Sequence, residues 1–291
     1  MISNKKALKF FLCGTAMGAA DIVPGVSGGT IAYLAGIYPL LIDSIGSFNA
    51  QFFRNLFSSR FKIALSSIPW TFLIPLLCGI LFSLLTVARI ISHFLQTFPQ
   101  IVWGFFFGLL LSSIILMLKR NILSLPSICS LAAGIFLAYC ITHLQSLQLS
   151  HSLPHIFLSG GIALCAMILP GISGSFMLVL LGQYAFMLQA VVESNMTVLL
   201  VFILGGITGL AAFSRILSAS FKKFPILMHA LMLGIMAGCL PTVWPWQSQQ
   251  ALSLPKGTST FPLFLACSIG FILPIALSAV ARHLNQKGHQ A

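Results

Sequence analysis

Apolar residues fill the chain in blocks at about 10–45, 69–95, 99–118, 124–143, 156–192, 196–217, 225–243 and 261–282. Most unbroken blocks are close to the ~20 residues that a helix needs to cross a bilayer, so they predict transmembrane helices. Two blocks are interrupted, the first at Pro24 and the fifth at Pro170. Residues 47–68 follow a different pattern, with Phe48, Phe52, Phe53, Phe57 and Phe61 interleaved with Arg54, Arg60 and Lys62. That alternation predicts an amphipathic segment lying on a membrane surface.

The two interruptions are copies of each other. Asp21-Ile22-Val23-Pro24-Gly25-Val26-Ser27-Gly28-Gly29-Thr30 returns as Met167-Ile168-Leu169-Pro170-Gly171-Ile172-Ser173-Gly174-Ser175-Phe176, at an offset of 146. Ten of the 25 positions from Gly14 to Tyr38 are identical to those from Gly160 to Tyr184, including Gly36/Gly182. The repeat continues at an offset of 126 through Gly79/Gly205, Leu84/Leu210, Arg89/Arg215, Phe98-Pro99/Phe224-Pro225 and Gly108/Gly234. The offset drops because the second copy lacks a counterpart of 47–68. Each half, 1–143 and 144–291, therefore reads as one broken segment followed by three spans. Proline and glycine are poor helix residues. In lipid such a break persists only where protein or a water-filled cavity shields the freed backbone groups.

Composition places the chain in the membrane. Charged residues make up 6% of 291 and mean hydropathy is +1.03, against roughly a quarter charged residues in soluble domains. The net charge of +12 arises because Asp21, Asp43 and Glu193 are the only acids. The bases flank apolar spans, which fits a positive-inside bias better than nucleic acid binding. If both broken segments (hairpins 10–45 and 156–192) are re-entrant, twelve bases fall on one face and only Lys256 on the other, leaving aside Arg89 and Arg215. If the broken segments cross fully, the count is seven to six. The expected fold is thus an all-α integral membrane protein with an inverted repeat, each half a broken re-entrant helical hairpin plus three transmembrane helices. Both termini are expected to be cytoplasmic. The basic, apolar N-terminus resembles a signal peptide, but the second copy has the same apolar lead-in, so it is expected to be retained.

Candidate chemistry centres on the breaks. Main-chain N–H groups at the start of a half-helix form an anion-binding concavity. Ser27, Thr30, Ser173 and Ser175 can add hydroxyls, and Gly28, Gly29 and Gly174 permit close approach. The competing reading is a turn that packs two helices tightly. Arg89 and Arg215 fall within spans, where a charge is costly and usually faces a cavity, although both can also snorkel to headgroups. Matched residues in oppositely oriented repeats suit a midplane carrier site. Asp21, opposite Met167, is either a proton-coupling carboxylate or a cap on the broken helix. Asp43 and Glu193 are expected to be solvated, and Trp70, Trp244 and Trp246 to be interfacial anchors. The seven cysteines lack Cys-x-x-Cys spacing, and His143, His151 and His155 lack ligand partners at usable spacing, so no metal or cofactor is expected.

These paired motifs, each followed by an arginine-bearing span and a Phe-Pro turn, resemble the bacterial polyprenyl-phosphate transporter family from about Lys6 to Arg282. The resemblance implies transport of undecaprenyl phosphate across the bacterial cytoplasmic membrane, with membrane lipids as surroundings and a homo-oligomer left open. It points to Asp21, Pro24, Gly25, Ser27, Gly28, Gly29 and Thr30, and to Pro170, Gly171, Ser173, Gly174 and Ser175. One alternative is a carrier or channel for a small soluble anion. Another is a membrane-embedded lipid phosphatase, but Gly28 and Gly174 stand where such enzymes carry arginine, and no acid pair is present. No enzyme activity is expected.

Overall fold

The computed structural model describes residues 4–22, 27–56, 58, 60–118, 124–144, 147, 149–248, 251–252 and 260–288. The protein is all-α, apart from a two-residue strand pair at Gln247–Ser248 and Ala251–Leu252. In chain order the helices are α1 (Asn4–Ile22), α2 (Gly28–Leu34), α3 (Tyr38–Gly46), α4 (Ala50–Leu56) and α5 (Phe61–Ser66). There follow α6 (Trp70–Phe82), α7 (Ala88–Thr97), α8 (Pro99–Leu118), α9 (Leu125–His143) and α10 (Leu153–Ile168). The last are α11 (Gly174–Leu180), α12 (Tyr184–Val192), α13 (Met196–Lys223), α14 (Pro225–Cys239) and α15 (Thr260–Gly288). Among the described residues five stretches are long and apolar enough to span a membrane: Trp70–Val87, Pro99–Leu118, Leu125–His143, Met196–Lys223 and Pro225–Val243. A π-helical turn, Ser83–Val87, joins α6 to α7, so the block expected at 69–95 is helical from Trp70 onward.

Both broken segments bend at a second point that the Pro-Gly motifs did not announce. α2 meets α3 at 119° and α11 meets α12 at 111°. The cause is a left-handed glycine at each corner, Gly36 (φ +71°) and Gly182 (φ +68°). Around Gly36, its own N–H donates to Tyr33 O and Ile37 N–H donates to Ala32 O. Gly182 and Gln183 make the matching bonds to Val179 O and Leu178 O. Each is a Schellman termination, which satisfies the last carbonyls of the helix while turning the chain away.

The helices group into two compact units that interleave the sequence halves: residues 1–88 with 143–229, and residues 89–142 with 230–291. In the first unit α1 packs on α6, and α10 packs on α13. A Cβ on Gly14 would lie 2.0 Å from Leu76 O, and one on Gly79 2.1 Å from Phe11 O. The repeat-related pair is the same, with Gly160 at 2.2 Å from Phe202 O and Gly205 at 1.9 Å from Phe157 O. In the second unit the pairing is exchanged between halves. α8 packs on α15 through Gly108 and Gly270, and α9 packs on α14 through Gly134 and Gly234, each a Cβ position 2.0–2.3 Å from a facing carbonyl. Lipid tails are as apolar as leucine, so close backbone approach at small residues supplies the association that burial supplies in water.

The segment at 47–68 forms α4 and α5, helices of 7 and 6 residues, too short to cross. Phe52, Ala64 and Ile68 are buried, while Arg54, Arg60, Phe61, Lys62 and Ile63 are exposed. Trp70 Nε1 donates to Leu65 O, tying α5 to the start of α6. The histidines grouped loosely in sequence part company. His151 stacks on Phe186 with Nδ1 3.1 Å from Gln183 Oε1, whereas His155 Nδ1 is 2.8 Å from the hydroxyls of Ser150 and Ser152.

Candidate functional site where the two breaks interlock

The first break ends in a capped helix. Ser27, extended at φ −124° and ψ 136°, is the N-cap of α2, and its Oγ accepts from Gly29 N–H at 3.0 Å. Asp21, the penultimate residue of α1, accepts Gly28 N–H on Oδ1 at 2.6 Å. Thr30 N–H donates to Ser27 O. The N–H groups of Gly28, Gly29 and Thr30, orphaned in any helix start, are thereby satisfied within the first copy. Asp21 makes the contact expected of a cap. Pro24 and Gly25 lie outside the described residues.

The second break has a different polar chemistry. Leu169 ends α10 in an extended conformation, Gly171 takes φ +91°, and Ser173 enters α11 extended at φ −96° and ψ 135°. Methionine replaces the aspartate here, and Ser173 caps no N–H of α11. Its hydroxyl pairs instead with that of Ser175, 2.7 Å away. A Cβ on Gly174 would lie 2.6 Å from Met167 Cγ and 2.7 Å from Ala163 O, so α11 doubles back onto α10 as α2 does onto Asp21.

The two breaks, 146 positions apart, meet in the first compact unit. Ser27 Oγ donates to Met167 O at 2.8 Å, and Gly171 N–H donates to Thr30 Oγ1 at 2.9 Å. Ser27 and Thr30 are fully buried. Gly29 is the contact point, since a Cβ there would lie 2.3 Å from Ile168 O and 2.8 Å from Met167 O. The expected hydroxyl donors of the first copy are thus engaged in holding the second copy. The first turn of α11, beside the Ser173–Ser175 pair, has no side-chain cap of this kind.

The arginines are placed separately. Arg89 is the second residue of α7, directly after the π-helical turn, and its side chain lies outside the described part of the chain. Arg215 is exposed on α13, with its Cγ 4.0 Å from where a Cβ on Gly46 would stand.

Sequence reasoning missed a cluster beside Arg215. Asp43, expected to be solvated, accepts the Ser218 hydroxyl on Oδ1 at 2.5 Å, and Lys222 Nζ lies 3.3 Å from the same oxygen. The pair is exposed, with side-chain exposures of 71% and 46%, so the bridge contributes at most about 1 kcal/mol. These groups border an open cleft of about 190 Å³ whose walls include Ile42, Phe221 and His229. The hydroxyl of Tyr33, on α2, is 2.5 Å from His229 Nδ1. The available signal was the spacing of Arg215, Ser218 and Lys222, which puts all three on one helix face; nothing in the sequence tied them to Asp43.

Comparison with known proteins agrees along most of the chain. A family profile described as undecaprenyl phosphate translocase-like matches residues 17–260. A protein of Vibrio cholerae serotype O1 named polyprenyl-phosphate transporter is 42% identical over 257 residues, covering 88% of this chain and 83% of that protein. A Staphylococcus aureus protein of the same name is 32% identical over 289 residues, covering 92% of this chain and 95% of that one. No solved structure matches.

Proposed function

The chain belongs to the undecaprenyl phosphate translocase-like family, and from that premise we propose that it carries undecaprenyl phosphate between the leaflets of the cytoplasmic membrane through the crossing of its two breaks. It is a multi-pass membrane transporter of polyprenyl phosphate. The observation that carries the path is the interlock itself, in which Ser27 Oγ holds Met167 O and Thr30 Oγ1 holds Gly171 N–H.

The physical problem is the headgroup. The prenyl tail is at home in hydrocarbon throughout, whereas a bare phosphate there carries a large desolvation cost. A route needs donors at depth and flexible backbone to present them. Non-helical backbone survives at membrane depth only against protein or a cavity, and here each break shields the other. The first copy spends its N–H groups on Asp21 and Ser27. The second copy, with the Ser173 and Ser175 hydroxyls at the uncapped start of α11, is the side that offers donors to an anion. Arg215, on α13 in the same compact unit as the two breaks, is the cation that meets the phosphate on this route. Asp21, Gly28, Gly29, Pro170, Gly171 and Gly174 shape the backbone of this path. Both termini are cytoplasmic in this arrangement, following the twelve-to-one placement of bases.

Hydrolysis is not part of this function. Phosphoryl transfer needs a base, a metal clamp or an activated nucleophile. The three acids are engaged elsewhere: Asp21 with Gly28, Asp43 with Ser218 and Lys222, and Glu193 with Gln189 Nε2 at 2.7 Å. The test is leaflet exchange of labelled undecaprenyl phosphate in vesicles containing the purified protein, with inorganic phosphate measured in parallel. Exchange without phosphate release is expected. Release from the diphosphate lipid, or exchange no faster than in protein-free vesicles, would overturn the proposal.

A further inference from the structure

Arg215, Ser218 and Lys222 share one face of α13, and the first and last stand about 10 Å apart along the axis at 1.5 Å per residue. α3 lies along that face, with Gly46 beside Arg215 and Asp43 opposite Ser218 and Lys222. Both donors converge on a single carboxylate oxygen of Asp43 at the edge of the open cleft. The matched positions in the other copy are Gln189 for Asp43, Ser92 for Ser218 and Gln96 for Lys222. The hydroxyl recurs and both charges do not, so the charged pair is not a requirement of the repeat's fold.

We propose that this cleft is a second anion site, in which a phosphate monoester replaces Asp43 on Lys222 and Ser218. Asp43 acts there as a resident competing anion that keeps occupancy short. The proposal rests on the transport reading for the identity of its ligand. An exposed ion pair is weak and screened by salt, so Lys222 changes partner at little cost. A phosphate monoester carries close to two negative charges at neutral pH and three acceptor oxygens, against the single charge of the carboxylate. Ser218 can donate to a phosphate oxygen as it now donates to Asp43. The apolar walls at Ile42 and Phe221 suit the carbons next to a lipid phosphate. An anion leaving Arg215 meets its next cation one step along the same helix face, and Asp43 then opposes its retention.

The test uses the full-length protein in detergent with Pro39→Cys, an exposed residue on the cleft rim, as its only cysteine. Farnesyl phosphate should slow alkylation of that thiol. Asp43→Asn should lower the half-protecting concentration by about threefold and Lys222→Gln should raise it by about as much, the scale of a surface charge pair. Lys222→Arg should restore protection. Inorganic phosphate, run in parallel, separates the sources. Protection by both probes assigns the site to any phosphate dianion, and protection by farnesyl phosphate alone assigns it to a lipid headgroup. No protection by either probe, or protection that neither substitution changes, overturns the site. Wild-type leaflet exchange is measured after the same preparation is reconstituted into vesicles. Exchange without cleft protection sinks only this site, whereas protection without exchange sinks the transport reading and leaves the site standing.

Discussion

Gly29→Ala should be far more damaging than Gly28→Ala, although the two glycines are adjacent in one motif. An alanine Cβ at 29 would lie 2.3 Å from Ile168 O and 2.8 Å from Met167 O, both rigid backbone of the other copy. Relief requires the breaks to separate by about 1 Å, since carbon–oxygen contacts closer than ~3.2 Å are repulsive. That movement lengthens the bonds from Ser27 Oγ to Met167 O and from Gly171 N–H to Thr30 Oγ1, now 2.8 and 2.9 Å. Buried groups left unpaired cost about 1–3 kcal/mol each, so two lost bonds amount to about 2–6 kcal/mol. With about 2–4 °C per kcal/mol for a chain of this class, melting in detergent should fall by at least about 4 °C, and exchange should fall with it. At Gly28 the obstacle is the Asp21 carboxylate, 2.6 Å away at the end of a rotatable side chain. Its displacement costs one cap, about 1 kcal/mol. Gly36→Ala provides a third point, with nothing within 4 Å but a φ of +71°. It should cost about 1–2 kcal/mol through backbone strain alone. Melting temperatures and exchange rates measured for the three variants should rank Gly29→Ala lowest. A Gly29→Ala protein that melts and exchanges like wild type would refute the interlock.

Three further outcomes are expected. Arg215→Lys should slow leaflet exchange substantially and Arg215→Ala should abolish it, because lysine copies the charge of arginine without its bidentate fork; unchanged exchange in the alanine protein would show that Arg215 only snorkels. Asp21→Asn should keep both stability and exchange, since an amide oxygen still accepts Gly28 N–H, whereas loss of exchange with normal melting would identify Asp21 as a proton-coupling group. Single cysteines replacing Asn121 and Ser58 should be shielded from an impermeant thiol reagent outside intact cells while one replacing Ser259 reacts, and the reverse pattern would reject the inverted arrangement.

Much of this protein is legible in its sequence. Scarcity of charge and blocks of about twenty apolar residues set the class, because only helices satisfy their own backbone in lipid. The offsets of 146 and 126 exposed the duplication and both breaks. The matched glycines, 14 with 160 and 79 with 205, were legible only as repeat positions, and the fold showed them to be helix crossings. Local pattern could not supply those partners. In water the apolar stripe of a helix says which face is inside, but a helix in lipid is apolar all round and many faces are equally acceptable. Hence the exchange of α8 onto α15 and of α9 onto α14 had no local signature. The corners at Gly36 and Gly182 were visible as repeated glycines, yet a positive φ is a property of the folded backbone, and no residue type compels it. The roles of Ser27 and Thr30, which bind the other break, and of Asp43, which holds Ser218 and Lys222 from 175 and 179 positions away, were set only by tertiary structure. A polar side chain takes whichever partner packing brings within 3 Å, and packing is decided by the whole chain.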